Sequence, residues 1–197
     1  MTSVRQQNFL LRKEKILAMA ESLLLDNNQD ITLSELATEL DIAKGTIYKH
    51  FKSKNQLYLE LIILNETRLL EISQKHNNDI KTYVSEYMLY NMLNSNRTIL
   101  LHVIEERLTN NERKLKELFE KLYQIREQRI IEIKDMTSDY LKSLDSAMSI
   151  RDYLSYVWTV TYGASLLLNS THYQKSIGSR ERLIKLYVNQ ALMTPDK

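Results

Sequence analysis

The sequence predicts an all-α protein, and three observations predict it. Three glycines and one proline among 197 residues leave few of the residues that tight turns and hairpins need. Apolar residues recur three and four apart over long stretches, the spacing of one helix face. Serine or threonine stands three residues ahead of Glu35, Gln56 and Asp152 where apolar runs begin, the signature of a capped helix start. With 43% apolar residues the chain can bury a sizeable core.

The first helix is expected over residues 12–26, where Ile16, Leu17, Ala20, Leu23 and Leu24 repeat at helical spacing before the polar run 26–30. Thr32 with Glu35 then opens a short helix through Leu36, Ala37 and Leu40. A turn at Asp41, Ile42 and Ala43 leads to a second short helix, Lys44–His50, with Ile47 inward and Phe51 closing the packing. Ser53 with Gln56 starts a longer helix along Leu57, Leu61, Ile62, Leu64, Leu69 and Ile72. No glycine- or proline-rich linker separates these elements, so the long helix is the connector. The expected domains are 1–53, a three-helix unit, and 54–197, a helical bundle. In the second, helices are expected over residues 80–93, 97–108 and 112–143. The last of these is amphipathic, with Leu115, Leu118, Phe119, Leu122, Ile125 and Ile130 on one side and balanced charge on the other. Ser149 with Asp152 caps the next helix, and a final one covers residues 180–193. These two are more continuously apolar than a helix with one wet face needs to be. An antiparallel pair that meets its copy from a second subunit, forming a four-helix bundle, accounts for them.

The formal charge of +2 is nearly balanced, so local distribution carries the argument about partners. Between Lys44 and Lys54 stand four lysines and a histidine with no acid among them. Two short helices joined by a three-residue turn have the dimensions of a helix-turn-helix, whose second helix offers its first turn to the major groove. Lys44 and Thr46 are the candidates for base edges: lysine donates to guanine, and threonine carries a hydroxyl and a methyl. Tyr48, Lys49, His50, Lys52 and Lys54 lie where flanking phosphates would pass, and such contacts position rather than choose the sequence. The tail with Arg5, Gln6, Gln7, Arg12 and Lys13 is a candidate minor-groove arm. The same cluster also fits a merely solubilising surface around a small helical core.

The stretch "ITLSELATELDIAKGTIYKHFKSKNQLY", preceded by "KILAMAESLLL", resembles the DNA-binding domain of the TetR family of bacterial transcriptional repressors over residues 12–60. The resemblance implies a homodimer joined through its last two helices, a palindromic double-stranded DNA operator, and a C-terminal domain that binds a small-molecule effector. It also implies that Thr32, Tyr48, His50 and Lys54 meet phosphates and that Lys44, Thr46 and Tyr48 lie on the recognition helix. Two positions depart from the family pattern: Asp41 stands where the turn usually has glycine, and Ala43 where the recognition helix usually begins with serine.

In the C-terminal part, polar and aromatic residues interrupt apolar helices: Tyr83, Tyr87 and Tyr90, then His102 and Glu105, then Trp158 and Tyr162. Tyr83, Tyr87 and Tyr90 share one helix face. Either they are core packing or, with the others, they line a pocket for an amphipathic or aromatic effector. No H-E-x-x-H, glycine-rich phosphate loop or cysteine nucleophile occurs, so the sequence points away from an enzyme and implies no metal or cofactor. A helical homodimeric adaptor would explain the last two helices but leaves the lysine cluster without a purpose. The lack of cysteines and of a long apolar run points to a cytoplasmic protein with no membrane partner.

Overall fold

The computed structural model describes residues 3–27, 30–111, 113–176 and 178–193, and every regular element among them is helical. The N-terminal unit comprises α1 (Val4–Asn27), α2 (Leu33–Glu39) and α3 (Lys44–His50). The first helix begins at Val4 rather than near Arg12 because Ser3 and Gln6 cap it reciprocally. The Gln6 N–H donates to Ser3 Oγ at 3.3 Å and the Ser3 N–H to Gln6 Oε1 at 3.0 Å. Arg5, Gln6, Gln7, Arg12 and Lys13 therefore lie on a helix and not on an extended arm.

The start of α2 is a complete capping box: Glu35 N–H donates to Thr32 Oγ1 at 3.1 Å, and Thr32 N–H to Glu35 Oε2 at 2.7 Å. Asp41 then takes the left-handed conformation, φ 50°, which short polar residues adopt at less cost than most. It reverses the chain so that Ile42 N–H reaches Ala37 O at 3.0 Å. At the head of α3, Ala43 is extended and supplies no side-chain cap.

The connector α4 (Lys54–Lys75) starts at Ser53, whose Oγ accepts from Gln56 N–H. Gln56 Oε1 closes on Lys52 N–H at 2.9 Å rather than on Ser53. Beyond it come α5 (Ile80–Leu93), α6 (Ser95–Asn111), a 3-10 turn (Arg113–Leu115), α7 (Lys116–Ser143), α8 (Ile150–Asn169), α9 (Thr171–Ser176) and α10 (Arg180–Ala191). The short α9 has no buried residue, hence no apolar period by which the sequence could announce it. Position 112, where the seventh helix was expected to begin, lies outside the described residues.

Two apolar cores result. One joins α1, α2, α3 and the first half of α4 to Leu101, Ile104 and Leu108 of α6 and Phe119 and Leu122 of α7. The other gathers the far end of α4 with α5, the second half of α7, α8 and α10. The packed stripe of α7 runs through Phe119, Leu122, Ile133, Thr137 and Tyr140. Ile130, placed on the apolar side by its residue type, is 49% exposed, because the stripe passes through Arg126 and Arg129 instead. Along α8 and α10, Leu166 and Leu186 remain 47% and 54% exposed. A Cβ added at Gly163 would meet nothing within 4 Å. No helix among the described residues is long and apolar enough to cross a membrane.

Candidate functional site

One buried side chain anchors α3: Ile47 is inaccessible to solvent, and Phe51 closes the packing just beyond. Lys44 and Tyr48, and likewise Gly45 and Lys49, stand four apart on the helix and are exposed, while Thr46 and His50 are half-buried. A Cβ at Gly45 would meet nothing within 4 Å, so the chain's own packing does not require a glycine there. Thr32 at the head of α2 and Lys52 ahead of α4 are exposed. The helix therefore presents polar and cationic groups outward.

His50 is not a fixed cation. Its ring stacks on Phe9 of α1 at 4.1 Å and 28°, and its Nδ1 is buried with no hydrogen-bond partner. Burial first, then the neighbouring charges of Arg12 and Lys13, hold its pKa below the usual histidine value.

Lys54 is already engaged: its Nζ lies 2.6 Å from Asp30 Oδ2. The other Asp30 oxygen accepts from the hydroxyl of Tyr58 at 2.5 Å, and that hydroxyl accepts from Ile31 N–H at 3.1 Å. Burial opposes the charge on Asp30, but the hydrogen bonds from Lys54 and Tyr58 outweigh it and keep the carboxyl below its ordinary pKa. Further along α4, Arg68 makes a two-pronged contact to Glu21 of α1 at 2.8 and 3.0 Å, with Arg97 of α6 on the same carboxylate at 3.4 Å. The N-terminal unit is thus tied by charge to α4 and α6.

A cavity of ≈ 390 Å³ opens between α4, α5, α6, α7 and α8, and Tyr87, His102, Glu105, Trp158 and Tyr162 line it. Trp158 lies parallel to Tyr162 at 5.4 Å and 9°, and the His102 ring meets Tyr162 edge-on at 4.7 Å. Tyr83 and Tyr90 do not line this cavity. Tyr83 is buried beside Tyr87 with ring centroids 6.0 Å apart. Tyr90 turns its hydroxyl to Asn65 Oδ1 at 2.9 Å, with the Arg97 guanidinium 4.4 Å from its ring.

The polar wall of the cavity is a charge network that the sequence reading missed. Arg126 donates to both oxygens of Glu105 at 2.6 and 2.8 Å, and through Nε and Nη2 to Glu66 Oε1 at 3.2 and 3.0 Å. Arg129 approaches the other oxygen of Glu66 at 3.3 Å. Burial works against the charge on both arginines, but Glu105 and Glu66 at Arg126, and chiefly Glu66 at Arg129, raise their pKa values above the ordinary range. Burial likewise raises the Tyr87 phenol. Glu66 Oε2 and Arg129 Nη1 are buried without a well-aligned hydrogen bond, which leaves bonding capacity at the wall. The available signal was the α7 stripe itself, because spacing carries it through positions 126 and 129.

Residues 16–61 match the model for bacterial regulatory proteins of the tetR family. Over 82 residues the chain is 34% identical to the HTH-type transcriptional regulator QacR of Staphylococcus aureus. That alignment covers 41% of this chain and 44% of the relative, so the chain spans less than half the length of the relative it matches. The family model's match covers the second half of α1, α2, the Asp41 turn, α3 and the start of α4, so these N-terminal residues are similar to bacterial regulatory proteins of the tetR family.

Proposed function

We propose that the chain is a DNA-binding transcriptional regulator acting in the cytoplasm, a homodimeric repressor released from a palindromic operator by a small molecule. In this reading Lys44 and Thr46 meet base edges, while Thr32, Tyr48, Lys49, His50, Lys52 and Lys54 meet phosphates. The observation that carries it is the outward face of α3, where Lys44, Gly45, Tyr48 and Lys49 stand in solvent around one buried anchor, Ile47. Gly45 costs helix stability, roughly 1 kcal/mol relative to alanine. No neighbour in the chain demands it, whereas close approach to a DNA backbone would. Ala43 supplies no side-chain cap, so the amides of Lys44 and Gly45 at the helix head are left to face a phosphate.

The exposed apolar face of α8 and α10 joins the two subunits, and the cavity takes the effector. Two recognition helices must stand about 34 Å apart to enter successive major grooves. A few ångströms of movement at α4 spoils that fit without altering either reading head. The test is selection of bound duplexes from a random pool across a salt series. The expected result is a palindromic motif with steeply salt-dependent affinity and a profile that Thr46→Ala blurs at particular base pairs. Recovery of no motif by a confirmed dimer would favour the adaptor reading.

A further inference from the structure

We propose that Asp30 is a positioning residue that governs how freely Lys54 passes to a phosphate, and that Arg107 of α6 sets the strength of that hold. The inference rests on the reading of Lys54 as a phosphate contact. Lys54 has its ammonium 2.6 Å from Asp30 Oδ2, so an arriving phosphate competes with a carboxylate already in place. Asp30 is not a loose surface acid: the Tyr58 hydroxyl holds its other oxygen at 2.5 Å. Tyr58 itself is fully buried and pinned by Ile31 N–H.

A second cation shares the same carboxylate. Arg107 Nη2 lies 3.9 Å from Asp30 Oδ1, and its guanidinium sits 5.6 Å from the Tyr58 ring, beside which Lys54 Nζ lies at 5.7 Å. One tyrosine–aspartate unit therefore serves two cations from two helices. The position of Arg107 ties this unit to the cavity: its chain neighbour Glu106 lines the cavity wall, while Leu108 is buried in the N-terminal core. When α6 brings Arg107 closer to Asp30, the carboxylate is neutralised from that side and Lys54 is released to DNA. When α6 draws away, Asp30 keeps Lys54. DNA affinity is thereby tuned within one subunit, independently of the spacing between the two reading heads.

The test measures equilibrium binding of the full chain to a mixed-sequence duplex across a salt series. The variants are Lys54→Ala, Asp30→Asn, Arg107→Gln, Tyr58→Phe and the pairs Asp30→Asn/Lys54→Ala and Asp30→Asn/Arg107→Gln. Asp30→Asn should bind about two- to fivefold more tightly, the range that an exposed ion pair commands. It should steepen the salt dependence by up to about 0.9 in slope, one phosphate contact. That gain should vanish in the Lys54→Ala background. Arg107→Gln should weaken binding, and only while Asp30 is present. If Lys54→Ala binds like the parent, the phosphate reading of Lys54 fails and the inference with it. If Lys54→Ala weakens binding but Asp30→Asn brings no gain, the phosphate reading stands and the inference is overturned. Tyr58→Phe, which frees the other Asp30 oxygen, should give a smaller gain than Asp30→Asn, and a gain from Asp30→Asn that persists without Lys54 would also overturn the inference by assigning the effect to a loosened loop.

Discussion

Replacing Arg126 by glutamine removes the guanidinium that joins α6 to α4 across the cavity. In the parent it makes four hydrogen bonds to two carboxylates, with 29% of its side chain exposed against 13% for Glu105 and 9% for Glu66. Breaking a fully buried pair by removing one partner costs about 3–5 kcal/mol, mostly because a buried charge is left uncompensated. Here Glu66 keeps Arg129 at 3.3 Å, while Glu105 loses both of its bonds to Arg126 at a wall with some access to water. The cost should therefore fall below that range, at roughly 2–3 kcal/mol. Removing the stranded charge as well, in Arg126→Gln/Glu105→Gln, should restore about 1–2 kcal/mol, a coupling typical of residues in one network.

The assay is urea unfolding of parent, both single variants and the double variant at one fixed protein concentration, because any self-association makes apparent stability depend on it. An unchanged slope with a shifted midpoint reports stability alone. Loss of less than about 0.5 kcal/mol in Arg126→Gln, the scale of an ordinary surface substitution, would refute the network as a structural tie. Equal loss in the single and double variants would refute the stranded-carboxylate account and leave only lost packing.

Two further outcomes are expected. Leu186→Arg places a charge on a side chain that is 54% exposed in the single chain, so sedimentation should report a monomer with unchanged helicity, whereas a persisting dimer would move the interface elsewhere. His50 has a folded pKa below the ordinary 6.5, so as pH falls through 6.5 the unfolded chain takes up its proton first and stability declines. Glu21 and Asp30, with folded values below 4.5 and 3.8, lose their contribution only at lower pH. Between pH 7.5 and 5.5 the melting temperature should therefore fall more in the parent than in His50→Gln, and equal falls would contradict the burial of the imidazole.

The N-terminal unit was legible in the sequence because its signals are local. The Thr32 and Ser53 caps, the Asp41 reversal and the Ile47 anchor each depend on residues a few positions apart, and each stands where the spacing put it. The Val4 start of α1 escaped notice because the residues after its Ser3–Gln6 cap form no apolar face at helical spacing: Phe9, Leu10 and Leu11 are consecutive and stay exposed. In the cavity, residue type misled. Tyr83 and Tyr90 share a face of α5 with Tyr87 and look like wall residues by chemistry, yet they stand one turn to either side of it along the helix, where Tyr83 is buried and Tyr90 turns to Asn65. Arg126 and Arg129 look like solvent residues, yet α7 turns them inward. Ion pairs between residues 60 or more positions apart leave no local trace.

The absence of a flexible joint gives these distant pairs their consequence. Among the described residues α4 runs without a break from Lys54, beside α3, to the cavity wall at Glu66. It is flanked by α6, which lines the same cavity at His102 and Glu105 and enters the N-terminal core at Leu108. Packed interiors have low compressibility and transmit strain. A guest that draws Arg126 or Arg129 away from Glu66 therefore changes the partners of α4 directly, and one that engages Glu105 or His102 changes those of α6. Because Arg126 bonds to both helices, neither can exchange its charge partner without altering the other's. Coupling between the cavity and the N-terminal unit then requires only a ligand with different affinity for the two arrangements. The charges at the wall are where that difference arises, since a lost bond to a buried charge costs more than a lost apolar contact of the same size.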